Sequence, residues 1–386
     1  MVTVTVTYCE AADYNQAPTI IQKNSVNLSR LVTVTARKPK KQDAKVNRRA
    51  YRLPALLLLA VVSAGCGSDK KAEETSPTIR MAVEFTSHSA CGHIAREKGW
   101  FEEEGIHLET YDSYVTGMAL AAALSRGDID AAYICLIPAI NAYANGGVHI
   151  RIVAGVHKYG YGLVVNPEKV KSVKDLERPD IRIGVAREGS PTDALFHKMM
   201  EKFDLDKKKI LPRVRRMNPP KLLLALKMGQ IDAGMICEQY PTMSENLGFK
   251  VLLDARDLWP EMQGSVLVVR DDLIEKHPEI VRKLVKVTSR ATRFINEHPD
   301  EAGRIVASAL SVTGEKVFPL KAAEAAAKLK ITPQALTKSL AKRLDCTVEV
   351  DEKMIQKTID YMKALGYIKK EFKAADILEL EYLHEK

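Results

Sequence analysis

The chain has 386 residues, 58 Lys and Arg against 49 Asp and Glu, a formal net charge of +9, 46% hydrophobic residues and six cysteines. Apolar and charged fractions of this kind belong to a globular protein and exclude a disordered or fibrous chain. The basic excess does not mark a nucleic-acid protein. Part of it clusters from Arg37 to Arg52, and Lys207-Lys208-Lys209 with Arg213, Arg215 and Arg216 have no aromatic residues interleaved, so they read as solvated surface.

The front of the chain reads as a processing signal. Leu56 to Val62 is a short apolar run, preceded by Arg48, Arg49 and Arg52 and followed by Ser63-Ala64-Gly65-Cys66. A basic stretch, a short apolar run and small residues describe an export signal, whereas a membrane span needs about 20 apolar residues. Cysteine directly after Ala-Gly makes the segment similar to a lipoprotein signal, which implies acylation of Cys66; Ser63 stands where that pattern usually has Leu, Val or Ile. Residues 46–65 are then the signal and residues 1–45 an extension upstream of the working start. Gly67 to Pro77 is polar and without large apolar groups, so residues 66–78 read as a tether.

Beyond the tether about 320 residues remain, enough for two ordinary domains. A thirteen-residue phrase occurs there twice. Ala123 to Cys135 is echoed 102 residues later by Ala225 to Cys237, with eight positions identical. The same offset pairs Ile79-Arg80-Met81-Ala82-Val83 with Ile181-Arg182-Ile183-Gly184-Val185. A period this long suits two lobes, not a solenoid, and two lobes leave a cleft between them.

Periodicity predicts the elements of each lobe. In the first, Ile79 to Phe85 is a strand, Ala90 to Lys98 a helix ending at Gly99, and Ile106 to Thr110 a strand. Thr116 to Arg126 is a helix ending at Gly127, and Ile129 to Ile134 a strand. The second lobe repeats this order with Ile181 to Val185, Thr192 to Phe203, Ile210 to Val214, Pro219 to Met228 and Ile231 to Ile236. Strand–helix–strand–helix–strand implies a parallel sheet covered by helices, with ligands beyond the carboxyl ends of the strands. Gly162 to Val165 and Val266 to Val269 read as strands linking the lobes, a hinge of few residues. The remainder is helical: Ile280 to Ile295, a break at Asn296 to Pro299, then Glu301 to Leu310. This tail is expected to pack on the first lobe. The expected organisation is 79–158 with 266–386 as lobe I and 159–265 as lobe II.

Cys91, Cys135, Cys237 and Cys346 are scattered without zinc spacing. Cys135 and Cys237 end equivalent strands and read as small apolar residues.

Further phrases occur in a telling order. They are Ile94 to Ile106 (IAREKGWFEEEGI), the two Gly-x-Ile-Asp-Ala repeats, Ser172-Val173-Lys174-Asp175-Leu176 and Gly189-Ser190. His277-Pro278-Glu279, Asn296 to Ala302 and Tyr361 to Ile368 complete them. In this order they resemble the solute-binding proteins of ABC importers, in the group for nitrate, sulfonate, taurine and thiamine-pyrimidine precursors, across nearly all of 79–386. The resemblance implies an α/β, two-lobed type 2 periplasmic-binding-protein fold. It also implies a small-molecule ligand and delivery to an ABC permease and its ATPase, with no cofactor or metal, by a monomer.

Candidate ligand contacts lie at carboxyl ends of strands and at helix starts. Thr86, Ser87, His88 and Ser89 follow the first strand, where hydroxyls can bind a ligand or cap a helix and His88 can donate a hydrogen bond to an anion. Tyr114 and Thr116 precede the second helix, whose free N–H groups suit an anionic or polar group. Arg187, Gly189, Ser190 and Thr192 form the equivalent loop of the second lobe, with Ser190-Pro191 a strong helix start. Glu238 and Tyr240 follow the second repeat, where the resembling family often has an acidic residue flanked by aromatics; Cys237 replaces its common Trp. Leu136 is the apolar counterpart in the first lobe, and Tyr159 and Tyr161 at the hinge can stack on a planar ligand. No Gly-x-Ser-x-Gly elbow, phosphate loop or metal cluster supports catalysis. Two alternatives stay open: an enzyme of the same fold, and a sensor passing ligand occupancy to a signalling partner.

Overall fold

In the computed structural model the described residues are 78–317 and 330–384. The signal-like segment, Cys66 and the tether up to residue 77 lie outside them. Among the described residues no helix is long and apolar enough to cross a membrane.

The chain opens with β1 (Thr78–Glu84), α1 (Ala90–Glu97), β2 (His107–Tyr114), α2 (Gly117–Ser125) and β3 (Ala131–Cys135). Then come α3 (Leu136–Gly146) and β4 (Ile150–Tyr159). A second series follows: β5 (Tyr161–Val165), β6 (Ile183–Val185), α4 (Pro191–Lys202), β7 (Val214–Arg216), α5 (Pro219–Lys227), β8 (Ala233–Cys237), α6 (Tyr240–Glu245) and β9 (Lys250–Asp254). The chain returns through β10 (Gln263–Arg270) to α7 (Pro278–Glu297), α8 (Pro299–Val317), β11 (Leu344–Cys346) and α9 (Glu352–Ala364).

Two sheets result, in the orders β11-β4-β10-β3-β1-β2 and β7-β6-β8-β5-β9. In each, β1 or β6 runs parallel to its two neighbours, and the antiparallel β10 or β5 borders the third strand, with β4 and β11, or β9, beyond it. β3 and β8 are buried along their whole length, as expected of strands covered on both faces.

The duplicated Asp of the repeat has a structural task in both lobes. Asp130 accepts from the Arg80 guanidinium at 2.5 and 3.0 Å and from the Arg80 backbone N–H at 2.9 Å. Asp232 does the same for Arg182 at 2.8, 2.8 and 3.0 Å, and also takes Lys169. Each carboxylate thereby ties the turn before the third strand of its lobe to the first strand. Donors from Arg182 and Lys169 hold the Asp232 carboxyl well below its ordinary range, against the opposing effect of its burial.

Several expectations are corrected. Gly162 to Val165 and Val266 to Val269 are strands as expected but not the links themselves: β5 lies inside the second sheet and β10 inside the first. The outward crossing occurs at Tyr159-Gly160, where φ is +63° and +86°, and the return crossing just before Gln263. The Tyr159 N–H donates to the Met262 carbonyl at 2.9 Å, which sets the two crossings side by side. Ile210 to Val214 is not one strand. The Asp206 side chain caps a helical turn at Lys207–Ile210, so β7 starts only at Val214. The tail packs on the first lobe, where Thr288 of α7 hydrogen-bonds the Tyr133 hydroxyl at 2.8 Å. It also touches the second lobe: Tyr361 of α9 donates to Glu201 at 3.0 Å and stands edge-on to Trp259.

Candidate functional site

Between the two sheets lies a cavity of about 260 Å³. This is slightly below the usual range of roughly 300–1,000 Å³ for ligand pockets, so its occupant is small. Three helices begin on it, each capped by its own side chain. Thr116 caps α2 by accepting from the Ala119 N–H at 3.3 Å, Ser190 caps α4 through Asp193 N–H at 3.3 Å, and Asn218 caps α5 through Lys221 N–H at 3.1 Å. A capped helix start still presents free N–H groups and the positive end of the helix dipole. Three such starts around one cavity suit a polar or negatively charged group.

The 102-residue offset reappears in this lining. Glu84 and Ala186, Val115 and Met217, Thr116 and Asn218, Gly117 and Pro219, and Cys135 and Cys237 are five equivalent pairs, and both members of each line the cavity. The site is a pseudo-symmetric cup made by the same positions of each lobe. Met118, Pro138, Met217 and the prolines opening α4 and α5 supply apolar wall.

Of the residues expected at the site, Thr86, Thr116, Tyr161, Arg187, Ser190 and Thr192 line the cavity. Ser190 and Thr192 hydroxyls stand 3.1 Å apart. Arg187 is exposed, and its side chain has no hydrogen bond or ion pair among the described residues. Arg216, also in the lining, is engaged by Asp193 at 2.5 Å and Glu188 at 3.7 Å. Arg187 is therefore the cation left for a ligand.

The others stand elsewhere. Ser87 donates its N–H to the Gln239 side chain at 2.8 Å, and Ser89 accepts from the Glu84 N–H at 3.0 Å, so both fix the end of β1. His88 is fully buried behind the floor, with Nε2 2.9 Å from the Gly160 carbonyl and Nδ1 3.4 Å from Cys135 Sγ. A carbonyl only accepts, so Nε2 carries the proton. Burial lowers the ring's pKa to about 4, which leaves no charge for an anion at neutral pH.

Leu136 opens α3 inside the core, and Tyr114 at the end of β2 pairs with Glu84 in the sheet. Gly189 lies beside the rim, its carbonyl accepting from Asn141 at 3.1 Å. Tyr159 stacks under the Arg256 guanidinium at the outer side of the hinge. Glu238 and Tyr240 are buried next to the hinge, and burial raises the Glu238 carboxyl to about 7.

Lining residues not counted among the ligand contacts from sequence include Glu84, Asn218, and the two cysteines read there as small apolar residues, Cys135 and Cys237. Cys135 is more than a strand-closing apolar group. Its thiol stands 3.2 Å from Glu84, 3.3 Å from the Tyr161 hydroxyl and 3.5 Å from that of Ser265. Burial pushes both cavity thiols well above their ordinary pKa, so neither is a nucleophile. Among the described residues no cluster of His, Cys, Asp and Glu is arranged to hold a metal ion.

Two sheets joined by paired crossings, with a ligand-sized cup between them, define the two-lobed periplasmic-binding-protein fold. Among solved structures, the nitrate-binding protein NrtA of Synechocystis PCC 6803 superposes with a TM-score of 0.65 at 14% identity, over 79% of this chain and 87% of that one. At that identity the likeness shows the fold alone. Residues 72–311 match the NMT1-like family, and the chain belongs to it. A candidate binding protein of Brucella abortus (strain 2308) is 30% identical over 225 residues, covering 57% of this chain and 67% of that one. A candidate aliphatic sulfonates-binding protein of Bacillus subtilis (strain 168) is 25% identical over 258 residues, covering 64% and 75%.

Proposed function

We propose that this chain is an extracytoplasmic solute-binding lipoprotein that closes around one small molecule and hands it to an ABC permease. The observation that carries this reading is the convergence of three capped helix starts and the unpaired Arg187 on one cavity between two hinged lobes. A relative named for aliphatic sulfonate binding supports an anionic or strongly polar group on the solute. Arg187, Ser190, Thr192 and Asn218 hold that group, and Thr86, Thr116 and Tyr161 face the rest. Acylation at Cys66 keeps the protein at the outer face of the membrane. The binding step involves no turnover, a reading supported by relatives named as binding proteins.

A thermal-shift screen of sulfonates, nitrate, aromatic acids and pyrimidines tests the reading. A ligand at about 100 times its Kd stabilises the protein by about 2.7 kcal/mol. The Arg187→Ala and Ser190→Ala variants are expected to lose most of that gain; equal stabilisation of wild type and both variants rejects the site. Cys66→Ser tests the anchor separately, with release from the membrane fraction expected.

A further inference from the structure

The tail of the chain reaches the loop that carries Arg187 and Ser190. After α9 comes Leu365-Gly366-Tyr367, where Gly366 takes a φ of +75° and its N–H bonds the Lys363 carbonyl at 2.9 Å. The Tyr367 N–H bonds the Met362 carbonyl at 2.9 Å, which completes a glycine-terminated helix end and fixes the place of the tyrosine. The Tyr367 hydroxyl donates to Asp193 Oδ2, in the first turn of α4. Burial and that neighbouring carboxylate keep the hydroxyl protonated.

This contact belongs to a closed ring of hydrogen bonds that crosses between the lobes twice. Asp193 Oδ2 also accepts from the Gly189 N–H at 3.2 Å. The Gly189 carbonyl accepts from Asn141 Nδ2 of α3 at 3.1 Å. One turn further along α3, Asn145 Nδ2 donates to Asn141 Oδ1 at 3.1 Å and to the Tyr367 carbonyl at 2.7 Å, which closes the ring. Asn141, Asn145 and Tyr367 belong to the first lobe and its tail, Gly189 and Asp193 to the second. The ring is also tied to the cavity. Gly189 directly precedes the lining residue Ser190, and the fully buried Asp193 holds the lining residue Arg216 through Oδ1 at 2.5 Å. Tyr361 makes another cross-lobe bond, to Glu201, but that carboxylate is 42% exposed and shared with Lys207, away from the loop.

We propose, on the basis of the solute-binding reading above, that Tyr367 is a positioning residue of the solute site. Acting through Asp193, its hydroxyl fixes the loop 187–190 against the first lobe, so that the loop is set for the solute only while the lobes are shut. The lobes cannot part without opening the ring, and opening it takes a donor from a fully buried carboxylate. The ring therefore governs release of the solute more than its capture, whatever the chemistry of the solute.

Two measurements on the full chain test this: stopped-flow binding of ethanesulfonate, and amide hydrogen exchange in buffer alone. Tyr367→Phe is expected to weaken binding by about tenfold, nearly all of it as faster dissociation. Asn141→Ala breaks the ring on its other side and is expected to do the same. The double variant should lose little more than either single one, because a ring already open has nothing further to lose. Tyr361→Phe removes a cross-lobe bond outside the ring and should stay within about twofold of wild type. Wild-type release in Tyr367→Phe, an equal loss in Tyr361→Phe, or additive losses in the double variant overturns the proposal. In the exchange measurement, amides of residues 187–193 are expected to exchange about fivefold faster in Tyr367→Phe and unchanged in Tyr361→Phe. Equal protection in all three chains overturns the role of Tyr367 independently of any solute. Failure of ethanesulfonate to bind the wild type, with that exchange pattern intact, rejects the acidic-solute reading and leaves Tyr367 as the residue that positions the loop.

Discussion

The two lobes build the same cup from the same positions, and the positions where they differ separate fold from function. Asp130 and Asp232 perform one clamping task in duplicate. Thr116 and Asn218 both cap a helix on the cavity, with different side chains. Glu84 and Ala186 differ outright, as do His88 and Ser190, the latter pair at one offset but with opposite uses. His88 is locked on the Gly160 carbonyl at the hinge, whereas Ser190 opens a helix on the cavity. Shared residues maintain each lobe; unshared residues give the cavity its chemistry and the hinge its packing.

The clamp offers the largest contrast. Asp232→Ala leaves Arg182 and its backbone N–H without their acceptor, at a carboxylate only 1% exposed. Removing one partner of a buried pair costs 3–5 kcal/mol, so about 3 is expected here because Arg182 itself is partly solvated. Asp130→Ala removes a carboxylate 20% exposed, and about half that loss is expected. Urea unfolding of the two variants measures both. Equal losses would mean that burial does not distinguish the lobes.

Gly117→Ala compared with Pro219→Ala addresses the two helix starts. The added methyl meets Glu84 and Pro138, at 2.3 and 2.7 Å from its Cβ position, so overpacking is expected to cost about 2 kcal/mol and to block the cavity. Pro219→Ala inserts nothing and is expected to fold with a change below about 1 kcal/mol.

The acid itself has a pH signature. Burial raises the Glu84 carboxyl to about 6, above the ordinary 4.5, so the native state holds this proton more tightly than the unfolded chain does. Its contribution to stability is full below about pH 4.5 and is lost as pH rises through 6. Cys135, Tyr161 and Cys237 around it stay neutral over that range, each held protonated by burial. The stability of Glu84→Gln relative to wild type is therefore expected to improve by about 2 kcal/mol between pH 4 and 7. A difference that does not change with pH would show Glu84 to be solvated.

The caps carry a smaller effect than the clamp or the glycine. Thr116→Ala and Asn218→Ala should each cost about 1 kcal/mol of stability. Only the second should also weaken an acidic solute strongly, because the start of α2 is already occupied by Glu84.

Much of this was legible from the repeat. The Ala123–Cys135 echo located the third strand of each lobe, and Ser190-Pro191 marked the start of α4 through cap chemistry alone. The same register carried further than it was taken: having chosen Thr116, it points to Asn218 at the equivalent place. Glu84 was hidden because a lone acidic residue at a strand end gives no local signal, and only the fold puts it against Gly117 and Cys135. His88 misled for the opposite reason. Its chemistry suits an anion, but the crossing at Gly160 turns the ring away from the cavity. Neither β4 nor α3 is among the elements expected from sequence, where Leu136 stands only as an apolar ligand contact although it opens α3. A proline in the first helical turn lacks only an N–H that would have had no partner there.

The cup between the lobes as a solute site is tested most directly by calorimetric titration of the strongest binder from the screen. Wild type and the Arg187→Ala/Asn218→Ala double variant are compared, with folding of both verified by circular dichroism. One site per chain in the wild type is expected, with affinity at least tenfold weaker in the double variant. Unchanged affinity in a folded double variant would contradict the assignment of the cavity.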